Sequence, residues 1–153
     1  MIERLRRLLP GAWLGVLLCV ALIATPSAFA TLVVADAGRV AARILAQEAW
    51  LSLVLALGLL AIERRAARAA AEAGRGSVLS REMLLLLGTV FCTVAGYFAT
   101  QPLMVAARAG GGALSFGQLH LVSTAFFAIK VLLVLALAWL AAAPRVTPPV
   151  TSS

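Results

Sequence analysis

Residues 115–143 read SFGQLHLVSTAFFAIKVLLVLALAWLAAA, and this stretch decides the fold. Ser115 and Gln118 form an S-x-x-Q capping box, the pattern in which a hydroxyl and a side-chain amide satisfy backbone groups that the start of a helix leaves free. From Leu119 to Ala143 the only charged side chain is Lys130. A hydrocarbon core of about 30 Å takes about 20 residues at a helical rise of 1.5 Å, so the stretch reads as a membrane-spanning helix over about 117–142 that stops before Pro144.

Working outward, the glycines at 110–112 mark a loop, and LLLLGTVFCTVAGYFATQPLM before it gives a span over about 82–104. Ser80 is its expected N-cap, Glu82 sits favourably in its first turn, and Pro102 is expected to kink or end it. Further upstream, ADAGRVAARILAQEAW places Asp36, Arg39, Arg43 and Gln47 on one helical face. That amphipathic start, about 35–47, runs without a breaker into a span over about 44–62, which closes at Glu63-Arg64-Arg65 and leaves a polar linker at about 63–81. The first apolar segment, about 11–32, follows MIERLRRLLP and carries Ala28 and Ala30 in SAFA, which is how a secretory signal also looks. Its apolar character continues through FATLVV to Asp36, long enough to span, so we expect it to be retained. The segment 144–153 is polar, proline-rich and expected to be disordered.

These segments predict an all-α integral membrane protein, one four-helix bundle over residues 1–153. Composition agrees: 63% of residues are hydrophobic, 12% are charged and the mean hydropathy is +1.03, values outside the range of ordinary soluble domains. The net charge of +7 does not indicate a nucleic-acid partner, because the basic residues stand in short runs between apolar segments with no aromatic-basic stripe. They report topology instead. Arg4, Arg6, Arg7, Arg64, Arg65, Arg68, Arg75, Arg81 and Arg145 lie on one side, and Arg39, Arg43 and Arg108 on the other. Nine against three puts both termini and the linker in the cytoplasm of a bacterial inner membrane, a source also suggested by the preference for Arg, Ala and Leu. Cys19 and Cys92 lack CxxC spacing and read as small packing residues.

Catalytic motifs are absent, and with one histidine there is no multi-histidine metal cluster. We therefore assign no catalytic residue, no metal and no cofactor. Charged groups inside a span are expensive, about 2.5–3.5 kcal/mol at the centre on insertion scales, so each is a functional candidate. Lys130 lies twelve residues beyond Gln118, about 18 Å along the axis and near the midplane. It needs a partner, such as Glu48 or the hydroxyls of Thr93 and Tyr97. Glu48, Ser52, Tyr97, Gln101, His120, Ser123 and Lys130 all fall in the outer half of their spans or at its floor, with Thr25 and Ser27 at the same end of the first. His120, Ser123, Phe127 and Lys130 share one face of the fourth helix. The inner halves are almost purely aliphatic, so polarity is gathered toward one side of the membrane. Two readings of Lys130 stand side by side: a register-fixing ion pair, or part of a site for a solute or a proton.

Small residues recur every four positions at Gly88, Cys92, Gly96 and Thr100, and at Gly11, Gly15 and Cys19. Such stripes serve helix packing within the chain or in a homo-oligomer.

The segments AGRVAARILAQEAWLSL, CTVAGYFATQPLM and ARAGGGALSFGQLHLVS resemble signature segments of the bacterial family named domain of unknown function 4149, itself similar to the animal transmembrane protein 205 group. The likeness runs from about Trp13 to Trp139 and is most specific at SFGxLHxxS, Ser115 to Ser123. It implies a four-helix membrane protein without an established activity, and it points to Glu48, Gln101, Pro102, Arg108, Phe116, Gly117, His120 and Ser123 as motif residues. A more distant likeness to four-helix proteins of copper and haem handling implies a haem- or metal-linked redox protein, although the multi-histidine or His/Met ligand sets of that chemistry are missing. Three functions follow as expectations. The leading one is a non-enzymatic membrane protein that binds or moves a small solute or protons through an outer-half polar pocket. The others are a scaffold or accessory subunit, and the redox protein.

Overall fold

The computed structural model describes residues 2–74 and 79–143. Four helices, Ile2–Thr31, Val34–Glu72, Arg81–Arg108 and Phe116–Ala142, are long and apolar enough to cross a membrane, and the described residues contain no strand. The chain is a multi-pass membrane protein. The expected disordered segment at 144–153 and the middle of the linker, 75–78, lie outside the described residues.

The helix starts follow the caps. Ser115 Oγ accepts from the Gln118 amide at 3.3 Å while Gln118 Oε1 accepts from the Ser115 amide at 2.9 Å, completing the box. Ser80 Oγ accepts from the Met83 amide at 3.2 Å. Three ends differ from expectation. The first helix begins at Ile2 rather than near residue 11, with Pro10 buried inside it. The second runs on to Glu72, through what was read as linker. Both extensions meet at one ion pair, in which Arg6 Nε and Nη2 donate to the two Glu63 carboxylate oxygens at 2.6 Å each. Alanine, the strongest helix former, then carries the second helix through AARAAAE.

The third helix passes Pro102 and ends at Arg108 because its hydrogen-bond pattern widens beforehand. Residues Val94–Ala99 form a π-helical segment, and Val20–Ala24 form another just before Pro26 in the first helix. A proline lacks an N–H and crowds the carbonyl four residues back, and a wider turn relieves both problems without ending the helix. The Gly96 carbonyl in the Val94–Ala99 segment accepts from Thr100 Oγ1 and from Ser123 Oγ of the fourth helix, at 2.6 Å each.

In the half near the linker, Trp13, Leu17, Ala56, Leu59, Leu86, Val134 and Leu137 from all four helices form one buried cluster. Trp13 and Leu17 bring the first helix into this cluster. Toward the short loops the packing changes. Beyond Cys19 the first helix packs on the second, and beyond Thr93 the third packs on the fourth. The bundle is thus two hairpins, joined in one half and parted in the other. Trp50 meets Phe98 edge-to-face at 5.1 Å and bridges the parted half on one side.

The stripe on the third helix is used within the chain: a Cβ at Gly88 would lie 3.0 Å from Leu133 Cδ1, and one at Gly96 would collide with Phe126 Cβ. On the first helix, Gly11 and Gly15 face open space and Cys19 is exposed, so that stripe is not used for packing within the chain.

Candidate polar cleft

The floor of the cleft is built where the hairpins part. Lys130 Nζ donates to both Glu48 oxygens at 2.8 Å, and the two residues are only 3% and 5% exposed. Glu48 Oε1 also accepts from Ser52 Oγ, one helical turn on, and Ser52 Oγ accepts from Trp13 Nε1 at 3.0 Å. One chain of hydrogen bonds therefore joins the first, second and fourth helices. It leaves no buried side-chain nitrogen or oxygen among the described residues without a partner. Burying two charges is tolerable only with such pairing, since each alone would cost several kcal/mol, on the order of the whole stability of a small bundle. The Phe127 ring lies 4.8 Å from the ammonium and adds a cation–π contact.

Above this floor lies a cavity of about 280 Å³. The first helix lines it with Val20, Ala21 and Thr25, and the second with Leu45 and Glu48. The third contributes Cys92, Thr93, Gly96, Tyr97, Gln101 and Met104, and the fourth His120, Ser123, Thr124, Phe127 and Lys130. Both π-helical segments border it, and such turns are frequent at functional sites because they redirect side chains and release carbonyls. Most wall hydroxyls are committed to helix carbonyls: Thr93 to Thr89, Thr124 to His120 and Ser123 to Gly96. Among the described residues no hydrogen bond engages the Tyr97 hydroxyl or the Gln101 amide. At the rim, His120 stacks on Phe116 at 5.9 Å, and the Arg108 guanidinium stands 4.4 Å from the centre of the same ring.

Six of the seven residues read from the sequence as a polar pocket line this cavity: Glu48, Tyr97, Gln101, His120, Ser123 and Lys130. Ser52 lies beneath it as a hydrogen-bond partner of Glu48. Of the remaining motif residues, Arg108 and Phe116 form the rim stack, while Pro102 and Gly117 are exposed and outside the cavity wall. Sequence reasoning missed Trp13 as the end of the buried relay, and missed Glu63 as the partner of Arg6. The signal for the first was faint, an indole at the depth of a serine on another helix. The second was legible as opposite charges at one membrane level. No group of three His, Cys, Asp or Glu side chains that could hold a metal occurs among the described residues.

Comparison with curated proteins and with solved structures gives no match. The family profile described as Domain of unknown function (DUF4149) matches residues 8–113. The match takes in the first three helices and Glu48, Tyr97, Gln101 and Arg108, and it ends before Ser115–Ser123, the segment that the sequence reading rated most specific. More than half of the chain is covered, and the protein belongs to the Domain of unknown function (DUF4149) family.

Proposed function

We propose that the protein is a non-enzymatic inner-membrane protein of a bacterium that receives a small solute in the cleft between its two hairpins. The observation that carries this reading is the contrast between floor and wall. Among the described residues no buried side-chain nitrogen or oxygen lacks a partner, while Tyr97 and Gln101 border about 280 Å³ of space with unused hydrogen-bonding capacity. An engineered cavity of about 150 Å³ holds benzene, so this one has room for a ligand. Filling it should abolish function. Ala21→Phe places a ring into the cleft from the first helix, and a deletion strain carrying it should fail to recover while the melting temperature stays near wild type. Full complementation by Ala21→Phe would overturn the solute reading.

The orientation belongs to this proposal: both termini and the linker cytoplasmic, the cleft opening outward, supported by the nine-to-three distribution of arginines. A reporter fused at Gly76 or after Ser153 should read cytoplasmic and one at Gly111 periplasmic; a cytoplasmic Gly111 fusion would overturn it. A likeness of the family to the animal transmembrane protein 205 group is part of the same reading. The completeness of the Trp13–Ser52–Glu48–Lys130 network favours one other role, a scaffold whose buried polar chain only fixes the register of the helices.

A further inference from the structure

We propose that the cleft takes an uncharged, membrane-dissolved ring carrying two acceptor oxygens, a headgroup of the quinone class, entering sideways between the first and fourth helices. The inference rests on the cleft being a ligand site and adds the chemistry and the route. Charge comes first. Of the cavity-wall residues, Glu48 and Lys130 form an ion pair and compensate each other at 2.8 Å through both carboxylate oxygens. In a low-dielectric interior a ligand with a net charge would have to displace one of them and leave the other uncompensated, whereas a neutral ligand leaves the pair intact.

Hydrogen bonding comes next. The Tyr97 hydroxyl and Gln101 amide are four residues apart on one helix and donate to nothing among the described residues; both present N–H or O–H donors to the cavity. Two such donors suit two carbonyl oxygens on one ring. The third proton of the Lys130 ammonium is likewise unclaimed by Glu48, whose two oxygens take only two of the three. Apolar contact is supplied by Val20, Leu45, Met104 and Phe127, and the volume is about 280 Å³, roughly twice the 150 Å³ that suffices for benzene.

The route follows from the packing. On one flank Trp50 and Phe98 close the gap between the second and third helices. On the other flank the first helix turns away from the fourth at its π-helical segment. The facing residues there are small: Ala21 and Thr25 on one side, Ser123 and the exposed Thr124 on the other. At 1.5 Å per residue the gap lies about 10–12 Å along the fourth helix from Phe116, on the lipid-facing flank above the Glu48–Lys130 floor. A phospholipid headgroup, charged and held at the surface, does not reach it; an uncharged ring dissolved in the bilayer does.

The test titrates a one-isoprenoid ubiquinone into the purified full chain in dodecyl maltoside, reading tryptophan emission. Quenching should saturate. The dissociation constant should rise at least tenfold in Tyr97→Phe/Gln101→Leu, saturation should vanish in Ala21→Phe, and both should stay unchanged in the lipid-facing control Leu132→Ala. Quenching that rises linearly with quinone and is the same in all four proteins would overturn the proposal, as would displacement of the quinone by stoichiometric oleate, which would assign the cleft to an anion. Loss of complementation in Ala21→Phe alongside linear quenching would sink the quinone assignment while leaving the solute site standing. Complementation by Ala21→Phe would sink both.

Discussion

Lys130→Met in an otherwise native chain should lower the stability of the bundle by about 3–5 kcal/mol, the usual cost of leaving one member of a buried ion pair without the other. The Glu48 carboxylate would keep Ser52 as a donor but lose both bonds from Lys130, in a place where it is only 5% exposed. Glu48→Gln should be nearly as costly, since the amide retains one acceptor oxygen but leaves the ammonium without a counter-charge. The double variant Lys130→Met/Glu48→Leu removes both charges and keeps apolar volume, so it should return to within about 1 kcal/mol of wild type or exceed it. Melting temperatures in detergent, measured for the two singles and the double, check this. Equal, additive losses would show that the residues do not form the pair.

The same cycle separates the two readings of the Glu48–Lys130 pair. Because the contact is bidentate and buried, either single replacement disturbs stability whatever the role of the pair. The decisive protein is the stable double variant. If it complements a deletion, the pair is a structural rivet. If it is stable and inactive, the charges belong to a working site.

Gly96→Ala should be the most damaging methyl addition in the bundle. The new Cβ would run into Phe126 Cβ, whose own ring is braced edge-to-face by Phe91 at 5.9 Å. The third and fourth helices would have to separate, at a cost of about 1–3 kcal/mol for overpacking and about 1 kcal/mol more where Ser123 loses its bond to the Gly96 carbonyl. Gly88→Ala supplies the contrast, since its Cβ meets only the end of the Leu133 side chain at 3.0 Å, which can turn away. Relief there, and a helix-propensity gain of about 1 kcal/mol, should leave it near neutral. Because the Gly96 clash is with a Cβ, Phe126→Ala should not rescue Gly96→Ala, whereas Phe126→Gly should recover part of the loss. Thermal denaturation of the four proteins reads the order, and a Gly96→Ala melting temperature no lower than that of Gly88→Ala would refute the close approach.

Four apolar segments, the caps at Ser80 and Ser115, and the gathering of Glu48, Tyr97, Gln101, His120, Ser123 and Lys130 in one half of the bundle were set by the sequence itself. Each depends on something local: a run length matched to lipid, a hydroxyl three residues before the amide it caps, or a depth counted at a fixed rise per residue. The candidate site was legible as a set of residues for the same reason, because polar side chains in a span are rare enough to be counted.

Only the tertiary structure decided which of them touch. Pairing Glu48 with Lys130, 82 positions apart, and extending that pair through Ser52 to Trp13 depends on how three helices rotate about their axes. Spacing along one helix does not contain that angle. The course of the chain at Pro26 and Pro102 was likewise undecided, since a proline in a span permits a break, a kink or a π-helical turn. Packing selected the last in both helices. The widened turns steer the hairpins apart, and the cleft exists because the helices part above a floor that the ion pair holds together.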